Sequence, residues 1–458
     1  MSPAVKNRRR SAAMVVALLV AGCGDGATAL PSTTAATPQI EAPVTEQTPT
    51  AISAPVATPT SGPTPVATAA PTPSPTPVST PTSTQTPTPT SAPTPAPTLS
   101  PWREVPPQRS VSSQQFQDVT WTGARFVAVG LGVFLDSTDG IRWRLQKGST
   151  TPGASAVAAG PGGVVAVGAI GERPASWFSA DGLTWVGRRK AFPLPRVGSE
   201  GIAVTDVVAR GDGWLVVGRR DRFCQFDCGE NPSRSYVWTS KDGTHWTRLA
   251  DRMALKGGGM NSVTQRGAGF VAVGVASDHV AIWTSPDGLA WTRIPDKPVF
   301  REPKGPDGTL PVRATGVAVR NGITVAVGMA YAQDTCPPGV AARFCPGARA
   351  WWSTDGRTWS KATVAKAIDG QMFSVTATPD GFLAVGPSGG KGCLGGIWGS
   401  SDGRVWRCEA THKRFKGFGP YAAAASDTVQ VALGLTDAGW DEGSSDGMPG
   451  SAWYRTRG

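Results

Sequence analysis

An all-β fold, a seven-bladed β-propeller, is predicted for residues 101–458 by two repeated segments and one incomplete repeat. A short apolar strand ending in glycine, such as Phe126-Val-Ala-Val-Gly130, occurs seven times. A segment of the form Ser-x-Asp-Gly-x-x-Trp follows six of these strands. The last repeat lacks its final strand, and a matching strand begins at Trp102. Four-stranded repeats of about 40–50 residues are typical of propeller blades.

The seven apolar segments have the form of buried β-strands. They are too short for stable helices and are rich in valine, so we expect both faces of each strand to be buried. The strands end at the following glycines: Gly130, Gly168, Gly218, Gly274, Gly328, Gly386 and Gly434.

The Ser-x-Asp-Gly segments predict tight hairpin turns. Glycine supplies the positive φ, and the aspartate and serine side chains accept N–H groups of the turn. We therefore expect the repeated aspartates to stabilise turns rather than to act as catalytic acids or calcium ligands. The segments begin at Ser137, Ser179, Ser240, Ser285, Ser353 and Ser400.

The Ser-x-Asp-Gly-x-x-Trp segment resembles the Asp-box (BNR) repeat of sialidase-like and photosystem-assembly-factor-like propellers. The resemblance covers residues 102–458 and implies a propeller. The sialidase form has one more residue between Asp and Gly, and this departure weakens any transfer of sialidase chemistry to this chain.

The seventh repeat ends after its third strand. Ser451–Tyr454 matches the third strand Ala281–Thr284, and Trp102–Pro106 matches the fourth strand Trp291–Pro295. We expect the N-terminal strand to complete the last blade, which would close the ring and remove an exposed sheet edge.

Most of the 17 tryptophans occupy repeat positions on strands. They are therefore expected to form the scaffold rather than a ligand-binding surface. Trp440 lies in a loop, where stacking on a ligand and packing within the loop are both open.

Residues 1–22 have the form of a lipoprotein signal peptide. Basic residues precede an apolar run, Ala12–Ala21, that is too short to span a bilayer. The segment Leu19–Cys23 resembles the bacterial lipobox, which implies lipid attachment at Cys23. The chain is then expected on the outer face of the bacterial cytoplasmic membrane or in the cell envelope, anchored to the membrane by its lipid. An ordinary secretory signal is the alternative.

Residues 23–100 are predicted to be a disordered spacer rich in Pro and Thr. Such a segment has too little apolar surface to fold and favours extended polyproline II conformations. Fully extended, it would reach about 200 Å, enough to carry a domain through a cell-wall layer.

Six cysteines other than Cys23 suggest disulfides in an exported protein. Chain proximity alone favours three pairs, and other pairings are open. The pairs are Cys224–Cys228, Cys336–Cys345 and Cys393–Cys408.

Variable insertions indicate one functional face. They fall between second and third strands and between blades, and both connections lie on the same side of a propeller. Loops on a rigid scaffold commonly carry binding sites. We select as ligand-binding candidates Arg219, Arg220, Arg222, Tyr331 and Trp440, although a solvated basic loop would also explain the arginines.

Charge and composition limit the classes of partner that we expect for this protein. The net charge of +11 favours an anionic glycan, a cell-wall polymer or an envelope protein. The basic residues are scattered rather than clustered, which argues against nucleic acid. His245, His279 and His412 lack metal-ligand spacing, so neither metal nor cofactor is expected. A monomer is expected.

The sequence favours a cell-surface binding or scaffold propeller without catalytic residues. The alternative is a sialidase-like glycoside hydrolase or another glycan-cleaving enzyme. An early Arg-Ile-Pro signature, expected in a sialidase domain, is absent, and Arg293-Ile294-Pro295 ends a strand in the middle of the ring.

Overall fold

The structure of the protein is a computed structural model that describes residues 98–146, 153–195, 201–220, 234–303, 311–331, 346–388, 392–436 and 449–458. Within these ranges the strands form seven sheets, numbered here as blades 1 to 7 by the order of their first strands. The predicted seven-bladed β-propeller is confirmed. The leader, Cys23 and the spacer up to residue 97 lie outside the described residues.

Blades 1 to 6 each contain four antiparallel strands in chain order. The first strands of blades 1 to 7 are β2 (Phe116–Trp121), β6 (Gly153–Gly160), β10 (Ile202–Arg210), β14 (Gly259–Arg266), β18 (Val312–Arg320), β23 (Ser374–Thr378) and β27 (Phe418–Ala425). The second strands are β3 (Phe126–Gly130), β7 (Gly163–Ile170), β11 (Gly213–Arg220), β15 (Gly269–Ala276), β19 (Ile323–Tyr331), β24 (Gly381–Val385) and β28 (Val429–Thr436).

The outer half of each blade is shorter. The third strands are β4 (Val133–Ser137), β8 (Arg173–Ser179), β12 (Arg234–Ser240), β16 (His279–Ser285), β20 (Pro346–Ser353), β25 (Ile397–Ser400) and β29 (Gly450–Thr456). The fourth strands are β5 (Arg144–Leu145), β9 (Val186–Arg189), β13 (Thr247–Arg248), β17 (Thr292–Arg293), β21 (Ser360–Lys361), β26 (Val405–Cys408) and, for blade 7, β1 (Arg103–Glu104).

The other regular elements of the described residues are small. An additional strand, β22 (Thr363–Val364), pairs in parallel with β26 at the outer edge of blade 6. One helical turn, α1 (Arg109–Ser112), precedes blade 1. Three 3-10 turns lie between blades, at Met253–Leu255, Pro298–Phe300 and Lys413–Phe415.

The first strands form the inner ring. Each contacts the first strands of both neighbouring blades, and β27 contacts β2. Strand direction alternates, so second-to-third and blade-to-blade connections lie on one side, the insertion face, and the hairpin turns lie on the opposite side. The apolar core fills the space between blades, as where Val273 packs with Val317 and Ala326.

Strand β1 closes the ring. Arg103 pairs with Tyr454 and Glu104 with Trp453 in antiparallel register. The Val105 N–H donates to the Ala452 carbonyl at 2.8 Å. Pairing continues upstream through a bridge between Leu99 and Arg457. The predicted N-terminal closure of blade 7 is therefore confirmed.

The repeated tryptophans belong to the core. Those on the third strands are at most 2% exposed, and those that lie within or immediately before the fourth strands are at most 7% exposed. Phe134 of blade 1 stacks on Trp185 of blade 2 with ring centroids 4.2 Å apart. These contacts confirm the scaffold role predicted for the repeated tryptophans, and Trp440 lies outside the described residues.

The Ser-x-Asp-Gly segments form the predicted turns. In blade 1 the Ser137 Oγ donates to Asp139 Oδ1 at 3.0 Å and accepts from the Gly140 N–H at 2.9 Å. Asp139 Oδ1 also accepts the N–H groups of Ile141 and Arg142. The same carboxylate bonds recur in all six segments, so the predicted turn role of the aspartates is confirmed.

One predicted disulfide is present. Cys393 and Cys408 are bonded, with an S–S distance of 2.02 Å, and join the segment before β25 to the end of β26. Cys224, Cys228, Cys336 and Cys345 lie outside the described residues. No helix in the described part of the chain is long and apolar enough to cross a membrane.

Candidate functional site

A β-bulge interrupts the pairing of the first and second strands near the insertion face. In blade 4, Met260 pairs with Gly274 and Ser262 pairs with Val273, which leaves Asn261 as the extra residue. The same register shift occurs in five other blades. In blade 6, Phe373 occupies the corresponding position immediately before β23.

The repeated glycine at the end of each second strand explains this bulge. A Cβ at Gly274 would lie 1.9 Å from the Gly259 carbonyl oxygen. The equivalent distance is 1.9–2.4 Å in all seven blades. The first strand therefore approaches the second more closely than any side chain allows, and only glycine permits that approach.

The bulge residues form a ring at the mouth of the central channel. Unlike the residues just before them, which are buried in every blade, all seven remain at least partly exposed although they lie on the innermost strands. Their positions on the innermost strands, beside the central axis of the ring, therefore leave these residues accessible to solvent. In blade order the channel-mouth ring is Gln117, Ser155, Thr205, Asn261, Thr315, Phe373 and Tyr421.

One half of the channel-mouth ring ties neighbouring blades together. The Thr205 hydroxyl donates to the Met260 carbonyl of the next blade at 2.9 Å, and Thr315 makes the same bond to Met372 at 2.5 Å. Asn261 donates to the Ala314 carbonyl at 2.8 Å. The polar groups of this half already serve the scaffold.

In the other half of the ring, the polar side chains make no such hydrogen bonds to the next blade within the described residues. The rings of Phe373 and Tyr421 are 5.6 Å apart and tilted, forming an aromatic platform. Burial raises the pKa of Tyr421 above its ordinary value. Within the described residues, neither the Tyr421 hydroxyl nor the Gln117 amide has a hydrogen-bond partner. An aromatic platform flanked by a hydroxyl and an amide can stack on a ligand and orient it.

Two partly buried carboxyl groups follow residues of the channel-mouth ring in the chain, Asp118 after Gln117 and Asp206 after Thr205. Burial, with a smaller contribution from the charge of Asp206, raises the pKa of Asp118 to about 7. Burial also raises the pKa of Asp206 to about 6. Asp118 accepts the N–H groups of Val119 and Val157, each at 2.8 Å. These bonds oppose the effect of burial without cancelling it.

The structure describes three of the five predicted ligand-binding residues. Arg219 lies near the end of β11 and donates through Nη1 to Asn261 Oδ1 at 2.5 Å, which places it beside the channel-mouth ring. Arg220 ends β11 and is partly buried opposite Arg234. Tyr331 ends β19 two blades away. Arg222 and Trp440 lie outside the described residues.

Sequence reasoning missed the channel-mouth ring. Its seven side chains share no chemistry that a sequence pattern would reveal. Six of them lie near the start of a first strand, and Phe373 lies just before one. The sequence contains one indirect signal for the ring. The recurrent glycine at the end of each second strand lies opposite the bulge of the first strand. Among the described residues, no group of three or more His, Cys, Asp or Glu side chains is arranged to hold a metal ion.

Comparisons with known proteins extend only to the fold. No protein-family profile matches the chain, and no curated protein matches it. Similar solved structures include YCF48 bound to a D1 peptide, at 14% identity and a TM-score of 0.45, covering 78% of this chain and 95% of that one. A streptogramin B lyase is 10% identical with a TM-score of 0.44, covering 77% and 96% of the two chains. Resemblance at this level transfers neither a partner nor a reaction.

Proposed function

We propose that the chain is a lipid-anchored binding protein of a bacterial cell envelope. Lipid on Cys23 would hold it at the membrane, and the Pro/Thr-rich segment would carry the propeller outward. The resemblance of the Ser-x-Asp-Gly-x-x-Trp repeats to the Asp-box supports a relation to the Asp-box propellers. The ligand-binding surface is the channel mouth on the insertion face.

The observation that carries this proposal is that the polar groups of the channel-mouth ring are used unequally. Thr205, Asn261 and Thr315 direct their polar groups into neighbouring strands. Ser155 also donates its hydroxyl to a strand carbonyl, that of Val167. Phe373, Tyr421 and Gln117 offer a platform and hydrogen-bonding groups to solvent. Sugar rings present apolar C–H faces and hydroxyl edges, so this half of the ring suits a glycan segment, including one within a cell-wall polymer.

A glycan-binding measurement tests this proposal. The purified protein and two single variants, Tyr421→Ala and Gln117→Ala, are compared on a panel of envelope oligosaccharides. We expect about five- to thirtyfold weaker binding in each variant, since losing a stacking ring or a hydrogen bond to a ligand costs about 1–2 kcal/mol. Gln265→Ala is the matched control, because Gln265 lies at the opposite end of β14 and is exposed. Unchanged binding in both mouth variants would refute the proposed site.

The membrane anchor has its own test. Cys23→Ala should abolish incorporation of a labelled fatty acid and release the protein from the membrane fraction. Membrane retention and labelling of the variant would rule out the anchor and leave the channel mouth untouched.

A glycan-cleaving enzyme is the second candidate, and the raised pKa of Asp118 favours it. A carboxyl group with a pKa near 7 can serve as a general acid at neutral pH. However, the Asp118 carboxyl group accepts hydrogen bonds from two backbone N–H groups, which fits a structural role instead. Incubation with sialoside and uronide substrates distinguishes the two. Turnover that disappears in Asp118→Asn would establish the enzyme, and no turnover across the panel would exclude it for these substrates.

A further inference from the structure

Blades 3 and 4 each bring a basic side chain and an aspartate into contact at equivalent positions on the insertion face. The basic partner lies four residues before the third-strand tryptophan, and the acidic partner five residues after the fourth-strand tryptophan. In blade 3, Arg234 Nη1 lies 2.8 Å from Asp251 Oδ2. In blade 4, His279 Nε2 lies 2.8 Å from Asp296 Oδ1. In both blades the contact joins the start of the third strand to the segment that follows the fourth strand.

Blade 2 has two cations at these positions. Arg173 takes the place of Arg234, and Lys190 takes the place of Asp251. Both side chains are exposed and line one cavity of about 200 Å³, together with Pro174, Phe192 and Leu194. Two like charges facing one cavity repel each other, and an anion between them would replace the missing carboxylate.

No acidic group among the described residues neutralises this cavity. Arg173 and Lys190 form no ion pair within that part of the chain, and neither does Glu172, the exposed neighbour of Arg173. Arg188 and Arg189 on β9 are exposed and add positive charge to the same edge. The cations of blade 5, by contrast, have an acid, because Glu302 pairs with Arg349 and Lys361.

The wall of the cavity is held rigidly. Phe192 is buried between blade 3 tryptophans, with its ring centroid 5.3 Å from that of Trp238 and 5.0 Å from that of Trp246. Trp238 Nε1 donates to the Pro193 carbonyl at 3.0 Å. Lys190 has a φ of 56°, in the left-handed region that a lysine disfavours. The fold therefore holds Lys190, which lines the cavity, in a disfavoured backbone conformation.

We propose that this cavity is an anion site that binds a phosphate or carboxylate group, with Arg173 and Lys190 as its ligands. A guanidinium can bind either group through two hydrogen bonds, and the ammonium adds a point charge. The exposed arginines of β9 would extend the attraction to further charges on the same molecule. The site shares no residue with the channel mouth, so either can exist without the other.

Calorimetric titration with two small probes tests the proposal. Inorganic phosphate and galacturonate are titrated separately into the purified protein at low ionic strength. Lys190→Asp would install an arginine–aspartate pair like that of blade 3, so we expect binding at least about tenfold weaker without loss of thermal stability. Lys241→Asp, an equal change of charge on the exposed turn of the opposite face, is the matched control and should bind as the unmodified protein does.

The outcomes separate the two sources of anion. Binding of phosphate alone indicates a phosphorylated partner, and binding of galacturonate alone indicates a uronate; each supports the site. Arg173→Ala provides a second variant at an exposed position and should also weaken binding. The proposal is overturned if neither probe binds, if Lys190→Asp and Arg173→Ala bind normally, or if Lys241→Asp weakens binding equally.

Discussion

Asp118 of blade 1 accepts a hydrogen bond from the backbone N–H of Val157 in blade 2, at 2.8 Å. Asp206 of blade 3 makes the equivalent bond to the N–H of Val263 in blade 4, also at 2.8 Å. Two carboxyl groups thus join neighbouring strands of the inner ring at places where burial disfavours their charge. The stability of the ring should therefore depend on pH.

Stability should fall as pH rises from about 4 toward about 7. The pKa of Asp118 is raised from 3.8 to about 7 in the folded protein, so the folded state holds a proton that the unfolded state has lost. One such group lowers the free energy of unfolding by up to about 1.4 kcal/mol per pH unit in that window. Asp118→Asn should reduce this slope, and Asp206 should retain a share of it. Urea unfolding at about pH 5 and about pH 8 measures the free energy of unfolding of the unmodified protein and of Asp118→Asn. The same pH dependence in both proteins would contradict a raised pKa of Asp118.

Gly274→Ala should destabilise the protein by about 2–3 kcal/mol or more. The added methyl group would meet the Gly259 carbonyl oxygen at 1.9 Å, so the bulge must open. Gly162→Ala is the control, because that glycine has no atom within 4 Å of the added Cβ. Denaturant unfolding compares the two. Equal stability of the variants would mean that the two strands do not approach closely at Gly274.

Trp102→Ala should lower the free energy of unfolding by about 3–5 kcal/mol. The Trp102 side chain is 3% exposed, its Nε1 donates to Glu409 Oε2 at 3.3 Å, and the Arg455 guanidinium lies 4.7 Å from its ring. The exposed neighbour Arg103 offers a control, since Arg103→Ala should change stability by less than about 0.5 kcal/mol. A Trp102 variant as stable as the control would argue against closure of blade 7 by β1.

Removal of the Cys393–Cys408 disulfide by alanine at both positions should cost about 3 kcal/mol. The bond closes a loop with a sequence separation of 15, and a loop of this size restricts the unfolded chain by about that amount. Thermal unfolding of the double variant measures the loss. Peptide mapping should recover the two cysteines linked in the unmodified protein, and recovery of either one bonded elsewhere would contradict the pairing.

The ring and its closure could be predicted because local sequence carries them. Valine-rich strands, Asp-Gly turns and tryptophans recur at fixed spacing, and Trp102–Pro106 repeats the pattern of Trp291–Pro295. Each feature depends on a short segment of sequence, and the surroundings of that segment are similar in every blade. Seven copies therefore determine the same architecture independently.

The candidate site could not be predicted in the same way. The bulge residues differ in chemistry, from the small hydroxyl of Ser155 to the aromatic ring of Tyr421. Their shared position in the fold arises only when two strands pair. Strand β22 likewise has two residues, and its pairing with Val405 and Trp406 depends on the path of the connection between blades. The two cations of blade 2 become informative only by comparison with the basic–acidic contacts of blades 3 and 4. Such features depend on long-range contacts that no single segment specifies.

A crystal structure of the protein with its tightest-binding envelope oligosaccharide would locate the ligand. We expect a sugar ring stacked on Phe373 or Tyr421, with a hydroxyl within hydrogen-bond distance of the Gln117 amide. A sugar bound elsewhere, with the channel mouth occupied only by water, would contradict this expectation.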